Sequence, residues 1–326
     1  MNRRDIVVAL LALGAVPASF AQRTSKDPLI GWLGFGTPES SGKYLDALIQ
    51  GLRALGYVEG KNLSIERRFA YAKPERLAEI AAELVQLRVD VIVAAGTAAT
   101  SAAQKATMAI PIVMGTANDP VGSGFVKSLA RPGGNITGVS NLTGDVVPKQ
   151  LEFLLEVLPG KSIVAVLVNR SNAAHAGMVR SVEVEALRIG VPRVIRAEVG
   201  DSLDIANAFS MIAREGARAV IVAVDALFVQ NRRQIAELAA KAKVLSISSF
   251  HEFAEAGGLM SYGQNLADDF RYAAKYVDKI LKGAKPADLP VEQPTRFELV
   301  VNMRTAKSLG ISIPQSILLR AGELIQ

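Results

Sequence analysis

Val91-Ile92-Val93-Ala94-Ala95-Gly96-Thr97 is a short, unbroken apolar run that stops in small and polar residues. About 130 residues later it recurs as Val220-Ile221-Val222-Ala223-Val224-Asp225. A β-branched run without alternation suits a strand covered on both faces, as in a parallel sheet. Outward from the first copy, the pattern predicts strands over 29–35, 62–71, 89–94 and 110–114. Between them it predicts helices over 41–55, from Pro74, and over 98–106, with the apolar face of the second on Leu77, Ile80, Ala81 and Leu84. Around the second copy it predicts strands over 163–168, 194–199, 219–224 and 244–248 and helices over 172–189, 203–214 and 230–241. Equivalent strands lie about 130 to 134 residues apart. The expected fold is α/β, with two doubly wound parallel-sheet (Rossmann-like) lobes.

Three stretches read as crossings between the lobes: Ser140-Asn141, Ser261 to Asn265, and the proline-spaced Pro286 to Pro294. They divide the chain into an N-terminal lobe (22–140 plus 264–288) and a C-terminal lobe (141–263 plus 289–326) joined by a multi-strand hinge. Residues 1–21 read as a signal peptide, with Arg3-Arg4, an apolar run from Ile6 to Val16, and small residues at Ser19 and Ala21 for cleavage after Ala21. That run is shorter than the roughly 20 residues a membrane span needs. The expected location is the periplasm.

The 326 residues include no cysteine and two histidines, His175 and His251. Thiol nucleophiles, Cys-ligated metals, disulfides and a lipidated cysteine anchor are thereby excluded. No cofactor and no metal are expected. The net charge of +6 is spread over isolated pairs such as Arg67-Arg68 and Arg232-Arg233, without the basic, aromatic-interleaved groove of a nucleic-acid binder. Gly36 to Lys43 fails as a phosphate loop, because its glycine spacing is one residue too long and Tyr44 stands where Ser or Thr is needed. Ser40 and Lys43 have Ser-x-x-Lys spacing but lack the partner motifs of acylating enzymes.

The strand ends are better suited to holding a small polar solute. Gly36, Thr37 and Ser40 precede or open one helix, Thr97 opens another, and Thr116 and Asn118 repeat the arrangement. Free N–H groups and the helix dipole at such ends favour a carboxylate. In the second lobe Asn169 and Asp225 end strands, and Asp225 is suited either to a ligand ammonium or to capping the next helix. Phe228, Phe250 and Tyr262 are candidates to face a ligand side chain. These residues support a binding protein for a small organic ligand. A doubly wound periplasmic enzyme and a ligand-sensing domain docking on a membrane signalling protein are the alternatives.

Gly51-Leu52-Arg53-Ala54-Leu55-Gly56-Tyr57, Asp119-Pro120-Val121-Gly122, Ala130-Arg131-Pro132-Gly133-Gly134-Asn135 and Ala256-Gly257-Gly258-Leu259-Met260-Ser261-Tyr262-Gly263 resemble segments of one family. It is that of the ABC-transporter substrate-binding proteins related to the tryptophan/tyrosine uptake receptors, and the similarity runs in order from about Ile30 to Ile325. The resemblance implies a type I periplasmic binding fold that closes on an amino acid, an aromatic or another carboxylate. It also implies delivery to an ABC permease in the inner membrane, without catalysis. A monomer is expected.

Overall fold

The computed structural model describes residues 27–326 apart from 142, 159 and 161, so the signal-peptide reading lies outside the described residues. The chain runs β1 (Leu29–Gly34), α1 (Pro38–Ala54), β2 (Ser64–Phe69), α2 (Pro74–Gln86), β3 (Val91–Ala95), α3 (Thr97–Ala106), β4 (Ile112–Asn118) and β5 (Ile136–Asn141). These strands form one parallel sheet in the order β2-β1-β3-β4-β5. β4 and β5 are buried along their whole length, polar ends included, whereas the edge strand β2 carries Glu66, Arg67 and Arg68 toward solvent.

The second lobe continues with α4 (Thr143–Val157), β6 (Val164–Asn169), α5 (Ala174–Ile189), β7 (Val194–Val199), α6 (Asp204–Arg214), β8 (Ala219–Val222), α7 (Ala226–Gln230), α8 (Arg232–Lys241), β9 (Leu245–Ser248), α9 (His251–Glu255) and β10 (Met260–Gly263). Then α10 (Leu266–Leu281) returns to the first lobe, where it packs against α1, β4 and β5. β11 (Glu298–Asn302), α11 (Met303–Ser308), α12 (Gln315–Leu318) and β12 (Glu323–Ile325) complete the chain. The second sheet has the order β12-β11-β10-β9-β8-β6-β7, parallel except where β10 meets β11.

Local chemistry explains several boundaries. α1 begins three residues before the expected Ser41. Pro38 suits its first position, and Thr37 and Ser40 form a reciprocal capping box. α10 starts where the Asn265 side chain accepts from the N–H groups of Ala267 and Asp268. The third crossing falls later than residue 289. Val291 N donates to Leu129 O at 2.7 Å, Glu292 N to Gly138 O at 2.9 Å, and Ser140 N to Glu292 O at 2.9 Å. The backbone as far as Glu292 thus satisfies the open edge of β5 before the chain leaves for β11.

Candidate functional site

The carboxyl ends of β1, β3 and β4 face the carboxyl end of β8 across a cleft, the place where doubly wound sheets hold ligands. The central cavity has about 620 Å³ of space between atoms, open solvent at its mouth included. Of the expected residues, Gly36, Ser40, Thr97, Thr116, Asn118 and Asp225 line it together. Thr37 borders a flanking pocket shared with α8 and α9, and Asn169 borders the opposite flank.

Three expectations fail. Phe228 is fully buried and lies flat against the His175 imidazole, with centroids 6.4 Å apart and planes 10° from parallel. α7 turns Ala226, Val229 and Gln230 toward the cavity, so Leu227 and Phe228 fall on the opposite, core-facing side. Phe250 is fully buried against Phe253, with centroids 5.8 Å apart. Tyr262 packs edge-on to Phe153 at 5.1 Å and against Phe297 at 5.9 Å, away from the cavity. The apolar wall comes from the first lobe instead. Phe35, Tyr44 and Phe270 line the cavity, and Phe270 touches Tyr44 at 5.4 Å and Trp32 at 5.3 Å between centroids.

The expected helix ends also differ from one another. At α1 the Thr37 and Ser40 side chains serve the capping box, with Ser40 Oγ accepting from Thr37 N at 2.9 Å. At α3 the cap is Gly96, which supplies no side chain. Thr97 Oγ1 turns aside to accept from Asn118 N at 3.0 Å, so the opening N–H groups of α3 face the cavity uncapped. No helix follows Thr116. β4 bulges there, pairing Ala95 with Thr116, and continues to Asn118 before Asp119-Pro120 turns the chain. The Thr116 hydroxyl instead starts a relay. It donates to Asn141 Oδ1, Asn141 Nδ2 donates to Asn118 Oδ1 at 2.8 Å, and Asn118 Nδ2 crosses to Val224 O at 2.7 Å. A second bridge between the lobes is the Lys43–Glu252 ion pair, so Lys43 faces Glu252 and Ser40 faces Thr37.

Asp225 is the one formally charged residue among the described residues lining the central cavity. It caps α7: Oδ1 accepts from Leu227 N at 2.9 Å and from Asn169 Nδ2 at 3.0 Å, while Oδ2 accepts from Asn172 Nδ2 at 2.8 Å. Burial, and then the Glu252 carboxylate, push the Tyr44 phenol well above the ordinary tyrosine range, so it stays a neutral hydroxyl. Tyr44, Asn141, Gln230 and Phe270 were not expected from the sequence. Tyr44 had a usable signal, because it lies one helical turn beyond Ser40 on the same face of α1.

Gly36 leaves no room for a side chain between the start of α1 and Gln230 of the opposite lobe. A Cβ there would stand 2.4 Å from Ser40 Oγ and 2.8 Å from both Gln230 Oε1 and Ser41 Oγ. Gly36→Ala is expected to hold the cleft ajar and weaken ligand binding roughly tenfold, the scale of about 1–3 kcal/mol for forced overpacking. Its unliganded melting temperature should fall as well, because the nearest clash is with the Ser40 hydroxyl of the α1 capping box. Calorimetric titration beside a thermal melt checks this, and unchanged affinity would show that the cleft tolerates the methyl group.

An apolar-walled cavity with a few convergent polar groups, enclosed by two doubly wound lobes that three crossings join, defines a type I periplasmic-type binding clamp. The chain belongs to the ABC transporter substrate binding protein family, whose model matches residues 38–325. It is 28% identical over 263 residues to a tyrosine-binding protein of Clostridioides difficile, which covers 81% of this chain and 75% of that one. It is also similar to a conserved domain protein of Vibrio cholerae (TM-score 0.86, 29% identity, covering 92% of this chain and 100% of that one). An ABC domain in complex with L-Trp from Streptococcus pneumoniae is comparably similar (TM-score 0.85, 27% identity, 92% and 100% covered).

Proposed function

We propose that this chain is the periplasmic solute-binding component of an ABC importer. It captures an amino acid with an apolar or aromatic body and delivers it to an inner-membrane permease, acting as a monomer and carrying out no chemistry itself. The observation that carries this reading is the polarity of the cavity. Uncapped N–H donors of α3 lie on the first-lobe side and the Asp225 carboxylate on the second-lobe side, with an aromatic wall between them. A zwitterion fits with its carboxylate on the helix end and its ammonium toward Asp225. Thr97, Thr116 and Asn118 shape the first-lobe side, and Asn169 holds Asp225 in place. The tyrosine-binding relative and the tryptophan-bound neighbour support the same ligand class. The moving bodies would be the two lobes, with residues up to Glu292 travelling with the first.

Mass spectrometry of solute released by denaturing the purified protein, followed by a thermal-shift screen, tests the reading. A ligand at 100 times its dissociation constant adds about 2.7 kcal/mol to stability, a shift of several degrees in a chain of this size. Amino acids should produce it and also reduce the radius of gyration in solution scattering. If amino acids and other small carboxylates all leave the melting temperature unchanged, the ligand class is wrong. Identical scattering curves with saturating ligand would rule out a closing clamp.

A further inference from the structure

Where the central cavity meets the pocket flanked by α8 and α9, three side-chain oxygens are buried outside the regular hydrogen-bond network: Tyr44 Oη and Glu252 Oε2, which face each other closely enough for the phenol to donate to the carboxylate, and Gln230 Oε1, which has no such neighbour. Buried polar atoms are nearly always satisfied, so the unpartnered Gln230 oxygen in the wall of a ligand cavity points to a group that the ligand supplies. Gln230 lines both the cavity and the flanking pocket, Tyr44 lines the cavity, and Glu252 lines the pocket behind them. The other Glu252 oxygen is taken by Lys43, which shuts the corner from the outside. Gln230 lies at the end of α7, five residues beyond Asp225.

We propose that Gln230, with Tyr44 and Glu252 beside it, is the specificity-determining corner of the site. It receives an O–H or N–H group at the tip of the ligand's side chain. This inference rests on the amino-acid reading and adds a requirement to it: a hydrocarbon tip leaves the Gln230 oxygen desolvated and unpaired. Sites built to bond a hydroxyl reject the analogue lacking it far more strongly than apolar pockets reject an extra methylene.

The test is calorimetric titration of the dialysed, ligand-free protein with L-tyrosine and with L-phenylalanine, which differ by one hydroxyl. The parent should bind L-tyrosine at least tenfold more tightly. Gln230→Leu should bring the two affinities within threefold of each other, mainly by weakening L-tyrosine. A parent that binds both within threefold overturns the proposal while leaving the amino-acid reading intact, and so does a Gln230→Leu protein that keeps the preference. If Gln230→Leu does not fold, the ratio measured on the parent decides. If no amino acid binds a parent that melts cooperatively, the amino-acid reading fails and this inference fails with it.

Discussion

Asp225→Asn is expected to weaken an amine-bearing ligand by two orders of magnitude or more, while a deaminated carboxylate of the same shape binds within a few-fold of its parent affinity. Asp225 has two duties in the structure, and the two substitutions separate them. As the cap of α7 it accepts from Leu227 N, and it also holds the side-chain amides of Asn169 and Asn172. Asp225→Ala removes both acceptor oxygens and with them all three accepted hydrogen bonds. It loses a cap worth about 1 kcal/mol and leaves two amide donors unpaired at about 1–3 kcal/mol each where they are buried, so its melting temperature should fall. Asp225→Asn keeps an oxygen for Leu227 and Asn169 and sets an amide against Asn172, so most of the fold's requirement survives and the charge does not. Losing one partner of a desolvated charge pair costs about 3 kcal/mol or more, since the ligand ammonium is left uncompensated. Calorimetry with an amino acid and its deaminated counterpart reads the difference. Equal affinity of the parent and Asp225→Asn for the amino acid would confine Asp225 to capping.

The contrast between Asp225 and the phenylalanines shows which parts of the site are legible in a sequence. A polar residue that directly ends an apolar strand run lies at the carboxyl edge of a sheet whatever the packing, so Gly36, Thr97, Asn118 and Asp225 could be read from position alone. The face an aromatic residue presents depends on the phase of a helix relative to its sheet. At Phe228 that phase is set by a five-residue helix too short to show periodicity. Phe270 reaches the cavity only because α10 crosses back over the first sheet, and its ring lies against Gly115, where a Cβ would be 1.9 Å from it. That pairing joins residues 155 positions apart, and no local pattern announces it.

The fold divides along the same line. The long covered strands were legible because β-branched runs bounded by small residues are a local signal. β12 was not: Glu323 to Ile325 becomes a strand because β11 offers an unpaired edge beside it. The late third crossing has the same origin, since Glu292 joins the first lobe by pairing with the edge of β5, a tertiary circumstance absent from the proline-rich segment itself.

Asp269→Asn is expected to stabilise the protein by a few kcal/mol at pH 8.5 and hardly at all near pH 4. Asp269 lies in the first turn of α10, 2% exposed, and its Oδ2 has no partner. Burial first, and the neighbouring Asp268 charge second, push its carboxyl from the ordinary 3.8 up to about 8. The dipole of α10 favours the ionised form at this position, but by about 0.3–1 kcal/mol, too little to offset burial. Between pH 4 and pH 8 the native state keeps a proton that the unfolded chain has released. The native state then binds more protons than the unfolded one, and the slope of stability with pH is negative. Asp269 is therefore without penalty below its unfolded value, destabilises increasingly as the pH rises toward 8, and reaches a plateau once both states are ionised. At about 1.4 kcal/mol per unit, a rise of roughly four units sets an upper bound of about 6 kcal/mol, which water entry and local opening reduce. Asparagine has nearly the same shape and no proton to lose. Urea unfolding of parent and variant at pH 4.5, 6.5 and 8.5 checks this, because titrating groups that do not interact with Asp269 cancel in the difference. A stability gap that stays constant across that range would mean that Asp269 ionises in the native protein at an ordinary pH.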